Sequence, residues 1–140
     1  MTKDGPNDSV AENAKMMVEL AAPFVDARGS IQPLVAGDFK AAQLITSKAG
    51  TVRANHYHKD DSHHMYIVSG EFDYYYRPTG STQEPECLRV KAGEVVYTPP
   101  MYDHAVKFVT DTTFINFASC DRDQGTYEDD IVRIELIDSD

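Results

Sequence analysis

The chain has 140 residues, enough for one domain around one hydrophobic core. Its 23 acidic residues outnumber 13 basic ones, and the formal charge of -10 argues against broad binding to nucleic acid or to an anionic membrane. No apolar run approaches the length of a membrane span, and the start of the chain lacks the apolar core of a signal peptide. We therefore expect a cytoplasmic protein that binds neither nucleic acid nor a membrane.

The beginning of the chain is predicted to lie outside the main domain. Residues 1–9 are polar and contain Gly5 and Pro6, which indicates a frayed tail. Residues 10–22 are rich in helix formers and predict a short helix. We therefore divide the chain into an N-terminal tail with a short helix, 1–22, and one domain, 23–140.

After Pro23 the pattern changes to short runs of β-branched and aromatic residues separated by Gly, Pro, Asp and Ser, which is typical of an all-β sandwich or barrel. The predicted strands are 30–35, 41–46, 51–58, 65–69, 71–77, 87–91, 94–97, 105–109, 114–118 and 131–137. The acidic stretch 121–130 is interpreted as a solvated loop. Cys87 and Cys120 indicate neither a disulfide framework nor a thiolate zinc site, and we expect buried free thiols.

Four of the five histidines are spaced as one site would require. His56 and His58 are two residues apart, so on a strand they can point to the same face, here into the barrel. His63 and His104 can join them from other strands within the roughly 2.0 to 2.2 Å reach of metal–nitrogen bonds. We therefore predict one divalent transition metal. His64 has the opposite parity to His63 and is expected to face outward with a structural role.

These histidines belong to two stretches that resemble the two motifs of the cupin family. The matching positions are Gly50, His56, His58, His63 and Gly70 in the first motif, and Gly93, Pro99 and His104 in the second. Two positions depart from the pattern, since His63 replaces the usual Glu and Met101 replaces a Gly. The resemblance implies a cupin-type double-stranded β-helix, a jelly-roll barrel, that binds a metal through the four histidines. Iron, manganese, nickel and zinc all stay open.

Three further segments resemble the sugar-nucleotide cupins, namely the dTDP-4-dehydrorhamnose 3,5-epimerases and the dTDP-4-keto-6-deoxyglucose 3,4-ketoisomerases. They are D-A-R-G at 26–29, R-A-N-H-Y-H-K at 53–59, and the tail 117–133 with its A-S step, acidic tyrosine-containing loop and final strand. The resemblance implies an isomerase or epimerase that moves protons next to a sugar ketone. His56 and His58 would then be acid/base candidates and Arg53 a phosphate contact. A surface salt bridge is the alternative for Arg53.

Two roles are in conflict at the histidines, because a histidine that binds an ion cannot also act as a free base. Either the ion polarises the substrate carbonyl during isomerisation, or the resemblance to the sugar enzymes is architectural. Two alternatives therefore stay open: an iron-dependent dioxygenase acting on a small diketone or enol, and a non-catalytic cupin that binds a small ligand.

Tyrosines supply the remaining candidates. Tyr74 and Tyr76 share one face of strand 71–77, which forms either the barrel core or a cavity wall, and in the second case both are candidate catalytic residues. Tyr97 and Tyr102 flank the Pro99-Pro100 loop near His104 and are predicted to contact a small-molecule substrate at the barrel mouth. A homodimer is expected, because pairing would cover exposed edge strands.

Overall fold

The computed structural model describes residues 16–139 of the chain. Most of this part is extended, and helix α1 spans Gln124–Asp130. The strands are β1 (Met17–Val18), β2 (Phe24–Asp26), β3 (Gly29–Ile31), β4 (Ala41–Ser47), β5 (Val52–His58), β6 (His63–Ser69), β7 (Glu71–Pro78), β8 (Glu86–Lys91), β9 (Val95–Thr98), β10 (Tyr102–Phe108), β11 (Thr112–Ala118) and β12 (Ile131–Arg133).

The strands form two five-stranded sheets and one small hairpin. The first sheet has the order β1-β9-β6-β11-β4, the second has the order β12-β5-β10-β7-β8, and β2 pairs only with β3 among the described strands. All the pairs are antiparallel, and consecutive strands often cross from one sheet to the other. This is the jelly-roll arrangement of a cupin, and the predicted all-β fold class is confirmed.

Alternating side chains along the strands build the core between the sheets. On β7, Phe72, Tyr74 and Tyr76 are fully buried, whereas the residues between them are only partly covered. The Phe72 ring lies 5.5 Å from that of Phe108 and 5.8 Å from that of Phe114, both in edge-on contact. Burying each large side chain contributes on the order of 1.5 to 3 kcal/mol. The aromatic face of β7 is therefore barrel core.

The structure shortens the predicted N-terminal helix at its C-terminal end. Residues 10–15 of the predicted helix lie outside the described residues, but Met17–Val18 form strand β1 and pair with Val95 and Val96. Met16 beside them is buried in the core. Tertiary pairing outweighs the weak helix preference of this segment. Residues 17 and 18 thus pair with the barrel, whereas Met16 is helical as predicted.

Two other expectations change. The acidic stretch 121–130 contains helix α1 rather than only loop, because Asp123 caps it by accepting a 3.1 Å hydrogen bond from the Thr126 backbone N–H. The cysteines are free as expected but not buried, since Cys87 is exposed and Cys120 is partly exposed. Within residues 16–139, no helix has both the length and the apolar character needed to cross a membrane.

Candidate metal and substrate site

Four buried histidines meet inside the barrel, each from a position that the strand pairing fixes. His56 and His58 come from β5, His63 from β6 and His104 from β10, where it lies directly opposite His56. Their exposed fractions are 6%, 1%, 5% and 1%. One ring nitrogen each from His56, His58 and His104 falls within a mutual 4.8 Å. The His63 ring centroid is 5.3 Å from those of His58 and His104.

A bulge in β5 directs His56 into the site. The pairing with β10 runs from His104–His56 to Ala105–Ala54, which leaves Asn55 as an extra residue. Ala54 and Asn55 both have positive φ, 70° and 57°. The Asn55 side chain holds this conformation, because its Oδ1 accepts hydrogen bonds of 3.1 Å from the backbone N–H groups of Leu136 and Ile137. Ala54 and Asn55 thus form the bulge.

Hydrogen bonds fix the rings of two histidines. The Nδ1–H group of His104 donates to the Tyr102 carbonyl at 3.0 Å, and the Nδ1–H group of His58 donates to the Asp130 carboxylate at 2.8 Å. Each ring therefore keeps Nε2 as a lone-pair donor for an ion. Pairing of the second ring nitrogen with a carbonyl or carboxylate is the usual support for metal-binding histidines.

Burial keeps the four rings neutral. Desolvation, followed by the neighbouring His104 and His58, lowers the pKa of His56 to about 2. Desolvation also holds the pKa values of His63 and His104 well below the usual range. Burial lowers the pKa of His58 as well, although its hydrogen bond to Asp130 opposes that shift. Neutral imidazole is the form that binds metals.

The residues fit a divalent ion. The donor set is imidazole, which suits iron, nickel, copper and zinc. His63 adds a specific observation: its Nδ1 is buried without a hydrogen-bond partner among the described residues. A buried polar atom of this kind normally has a partner, and an ion would supply one. His64 lies outside the cluster, with its ring centroid 4.6 Å from that of Tyr97, in keeping with the structural role predicted for it.

A cavity of about 680 Å³ opens above the histidines, between β4 and β5. Arg53 lines it, but its Nε donates to Ser47 Oγ at 2.6 Å and its Nη2 donates to the Thr46 carbonyl at 3.0 Å. Arg53 therefore ties β4 to β5 while it lines the cavity, and its predicted phosphate contact stays a prediction.

The C-terminal segment supplies one wall of this cavity, which the sequence interpretation as a solvated loop missed. Arg122 and Tyr127 line the cavity, and the Tyr127 ring centroid is 6.2 Å from that of His56 and 6.1 Å from that of His58. Asp130 is 9% exposed and bonded to His58. A pair of buried histidines needs an acceptor for the ring N–H group, and this requirement was the signal that could have identified Asp130.

The tyrosines predicted from the sequence lie elsewhere. Tyr74 and Tyr76 are fully buried in the core and do not belong to the described cavity lining, and the Tyr74 hydroxyl is bonded to Thr98 Oγ1 at 2.5 Å. Tyr97 borders a separate small pocket with His64. Tyr102 packs against the hydrophobic core. None of the four is among the described residues that line the cavity, although Tyr76 pairs with His104 and the Tyr74 ring centroid lies 6.4 Å from that of His104. Their assignment as catalytic or substrate-contacting residues stays a prediction.

The family of the chain follows from a comparison of sequences. Residues 24–128 match the family described as the polysaccharide biosynthesis C-terminal domain, and the chain belongs to that family. A search of curated proteins found no match to the chain.

Solved structures show the same barrel. QdtA, a 3,4-ketoisomerase of Thermoanaerobacterium thermosaccharolyticum seen as a double mutant with TDP, is 19% identical with a TM-score of 0.67, over 84% of this chain and 85% of that one. The dTDP-4-dehydrorhamnose 3,5-epimerase of Sulfolobus tokodaii is 16% identical with a TM-score of 0.64, over 83% and 76%. The predicted resemblance to sugar-nucleotide cupins is confirmed at the level of the fold.

A third structure has a different context. The capsular polysaccharide assembling protein CapF of Staphylococcus aureus is 25% identical with a TM-score of 0.63, over 84% of this chain and 34% of that protein. The chain thus corresponds to about a third of CapF.

Proposed function

We propose that this protein is a metal-dependent isomerase or epimerase that acts on a keto-sugar, carried on a nucleotide, in the synthesis of a polysaccharide precursor. The observation that carries the proposal is the cluster of neutral, oriented histidines at the base of an open cavity. The family, together with the ketoisomerase, epimerase and capsule-assembly proteins that share the fold, supports a sugar substrate.

The low pKa of His56 favours metal binding over proton transfer. A general base works best when its pKa lies near the working pH, and a group with a pKa of about 2 is a poor one. The same low pKa does not weaken metal binding, because an ion binds only the neutral, deprotonated ring. His56, His58, His63 and His104 are therefore assigned as ligands. A bound divalent ion would polarise the substrate carbonyl and so acidify the adjacent carbon–hydrogen bond.

Tyr127 then becomes the candidate for the proton-transfer step. It is the one tyrosine among the described residues that line the cavity, and its ring faces both His56 and His58. Burial raises the pKa of its hydroxyl group, which keeps the proton in place until a substrate oxygen or carbanion takes it. Asp130 holds the ring of His58 in position during this step.

Two measurements test the proposal. Protein purified without chelator should contain close to one divalent ion per chain, and this ion should be lost in His58→Ala but kept in His64→Ala, the matched histidine outside the site. The loaded protein, incubated in D₂O with a set of dTDP- and UDP-linked 4-keto-6-deoxy sugars, should place deuterium on a carbon next to the ketone. Mass spectrometry measures the exchange.

The variant Tyr127→Phe should slow this exchange by roughly 10²-fold or more, within the usual range for loss of a general acid or base. Tyr66→Phe, a partly exposed tyrosine on β6 outside the described cavity lining, is the matched control and should exchange at the wild-type rate. Absence of exchange with every keto-sugar, metal loaded or not, would refute the isomerase. Oxygen uptake by iron-loaded protein with a β-diketone would then favour the dioxygenase alternative.

A further inference from the structure

Arg122 is held rigidly in the wall of the histidine cavity. Its side chain is 11% exposed, which is unusual for arginine. Its Nε donates to the buried Asp61 carboxylate at 2.8 Å, and its guanidinium carbon lies 5.2 Å from the centre of the Tyr127 ring. An ion pair and a cation–π contact thus fix this cation beside the histidines.

One donor of this arginine has no partner. Nη2 of Arg122 is buried without a hydrogen bond to any residue that the structure describes. Arginine–carboxylate pairs are frequently bidentate, but Asp61 engages Nε, and its Oδ1 accepts from Ser119 Oγ at 2.9 Å and from the Cys120 backbone N–H at 3.0 Å. The Asp61 carboxylate is therefore satisfied without Nη2.

Arg122 and the four histidines line the same cavity. A partly desolvated guanidinium attracts a negative ligand oxygen in this space, because low dielectric strengthens the interaction. An unpaired donor and a positively charged side chain therefore lie together in one wall of the cavity.

We propose that Arg122 is an anion-binding residue of the cavity, and that its Nη2 donates to a negatively charged ligand oxygen next to the histidines. The proposal rests on the proposed function for taking this cavity as the substrate site. Two sources supply such an oxygen: the enediolate that forms when a proton leaves the carbon beside a ketone, or a permanent carboxylate or phosphate group. A planar guanidinium matches either one.

The test uses oxalate, a planar dianion that resembles an enediolate, titrated by calorimetry into metal-free and zinc-loaded protein. The informative comparison is Asp61→Asn against the double variant Asp61→Asn/Arg122→Gln. The double variant removes both charges of the pair and leaves no buried charge alone, so it tests whether Arg122 acts on the ligand or only neutralises Asp61. Arg89→Gln, an arginine on β8 that is 45% exposed and paired with Asp73, is the matched control.

Oxalate should bind Asp61→Asn at least about ten-fold more tightly than the double variant in the metal-free form, the zinc-loaded form or both, and Arg89→Gln should match the wild type. Equal affinities in both forms, or no binding to the wild type, would overturn the proposal. Melting curves verify folding. If the double variant is unfolded, Arg122→Lys replaces it, because lysine keeps the charge but lacks the planar fork, and the same loss is expected.

The result is separable from that of the isomerase test. If no keto-sugar exchanges deuterium but oxalate binding depends on Arg122, the reaction is refuted and the anion site stands. If exchange occurs but oxalate binding does not depend on Arg122, the anion site is refuted and the isomerase reaction stands. With an exchanging substrate, a loss in kcat at constant KM for Arg122→Lys assigns the enediolate, and a rise in KM at constant kcat assigns a permanent anionic group.

Discussion

The buried histidines should make the metal-free protein sensitive to mild acid. The pKa of His56 falls from 6.5 to about 2 on folding, because the ring loses water and faces His104 and His58. Below pH 6.5 the unfolded chain binds a proton there that the folded chain does not, so the free energy of unfolding decreases as the pH falls. The loss begins near the unfolded value and continues to the folded one.

The magnitude follows from linkage. For a single site with these two pKa values, lowering the pH from about 7.5 to about 5.5 costs about 1.4 kcal/mol. The pKa values of His58, His63 and His104 shift in the same direction, so these residues add to the loss at His56. The loss at His56 alone is already a noticeable fraction of the roughly 5 to 15 kcal/mol that stabilises a typical domain.

Urea unfolding of chelator-treated protein at a series of pH values between about 7.5 and 5.5 measures the effect, since carboxylates titrate mostly below this window. The variant His56→Asn serves as the comparison, because it removes one titrating histidine. The slope of its unfolding free energy against pH should be smaller than that of the wild type, by an amount that corresponds to the uptake of at most one proton. A wild-type free energy of unfolding that is constant or rises towards pH 5.5 would refute the reasoning.

Three other outcomes are expected. Asp130→Asn should weaken zinc binding by about 10- to 100-fold in a competition assay, because it replaces the carboxylate that orients His58; unchanged affinity would contradict this support role. Gly70→Ala should lower the urea midpoint more than Gly80→Ala, since both glycines have positive φ but only at Gly70 would a Cβ overlap the Asp111 carbonyl; equal losses would contradict the overlap. Phe24 on the β2–β3 hairpin is 62% exposed, and Leu44 on the edge strand β4 is 72% exposed. Both should lie in a homodimer interface, so the variants Phe24→Asp and Leu44→Lys should sediment as monomers. A monomeric wild type would contradict the dimer.

The sequence predicted the barrel because its strands are marked by local patterns. β4 to β11 all overlap predicted runs, although β6, β10 and β11 begin two or three residues earlier than predicted, since alternation and turn residues act over a few neighbours. The short strands β1 and β2 carry no such pattern and form only through pairing with β9 and β3. The histidine positions were predictable for a related reason, because their spacing is tied to strand parity.

The cavity wall was not predictable in the same way. Asp130 and Arg122 lie in a run of charges whose composition is typical of solvent-exposed loops, and their partners His58 and Asp61 are distant in the chain. Burial of such groups depends on pairs that only the folded chain forms. Tyr74 and Tyr127 illustrate the consequence: the tyrosine on a clear strand pattern is core, and the one in the acidic stretch lines the site.

The hydrogen bond between His58 and Asp130 joins residues that are 72 positions apart in the chain. During synthesis, therefore, the histidines are made well before the residue that completes their cavity wall. His104 emerges from the ribosome before the segment with Arg122 and Asp130, by an interval on the order of seconds at typical translation rates. During that interval a nascent barrel would present its histidines through an unfinished wall, so we expect ion capture to precede closure. Stalled nascent chains that end before the segment emerges should then retain radioactive zinc, whereas uptake only after Asp130 has emerged would contradict this order.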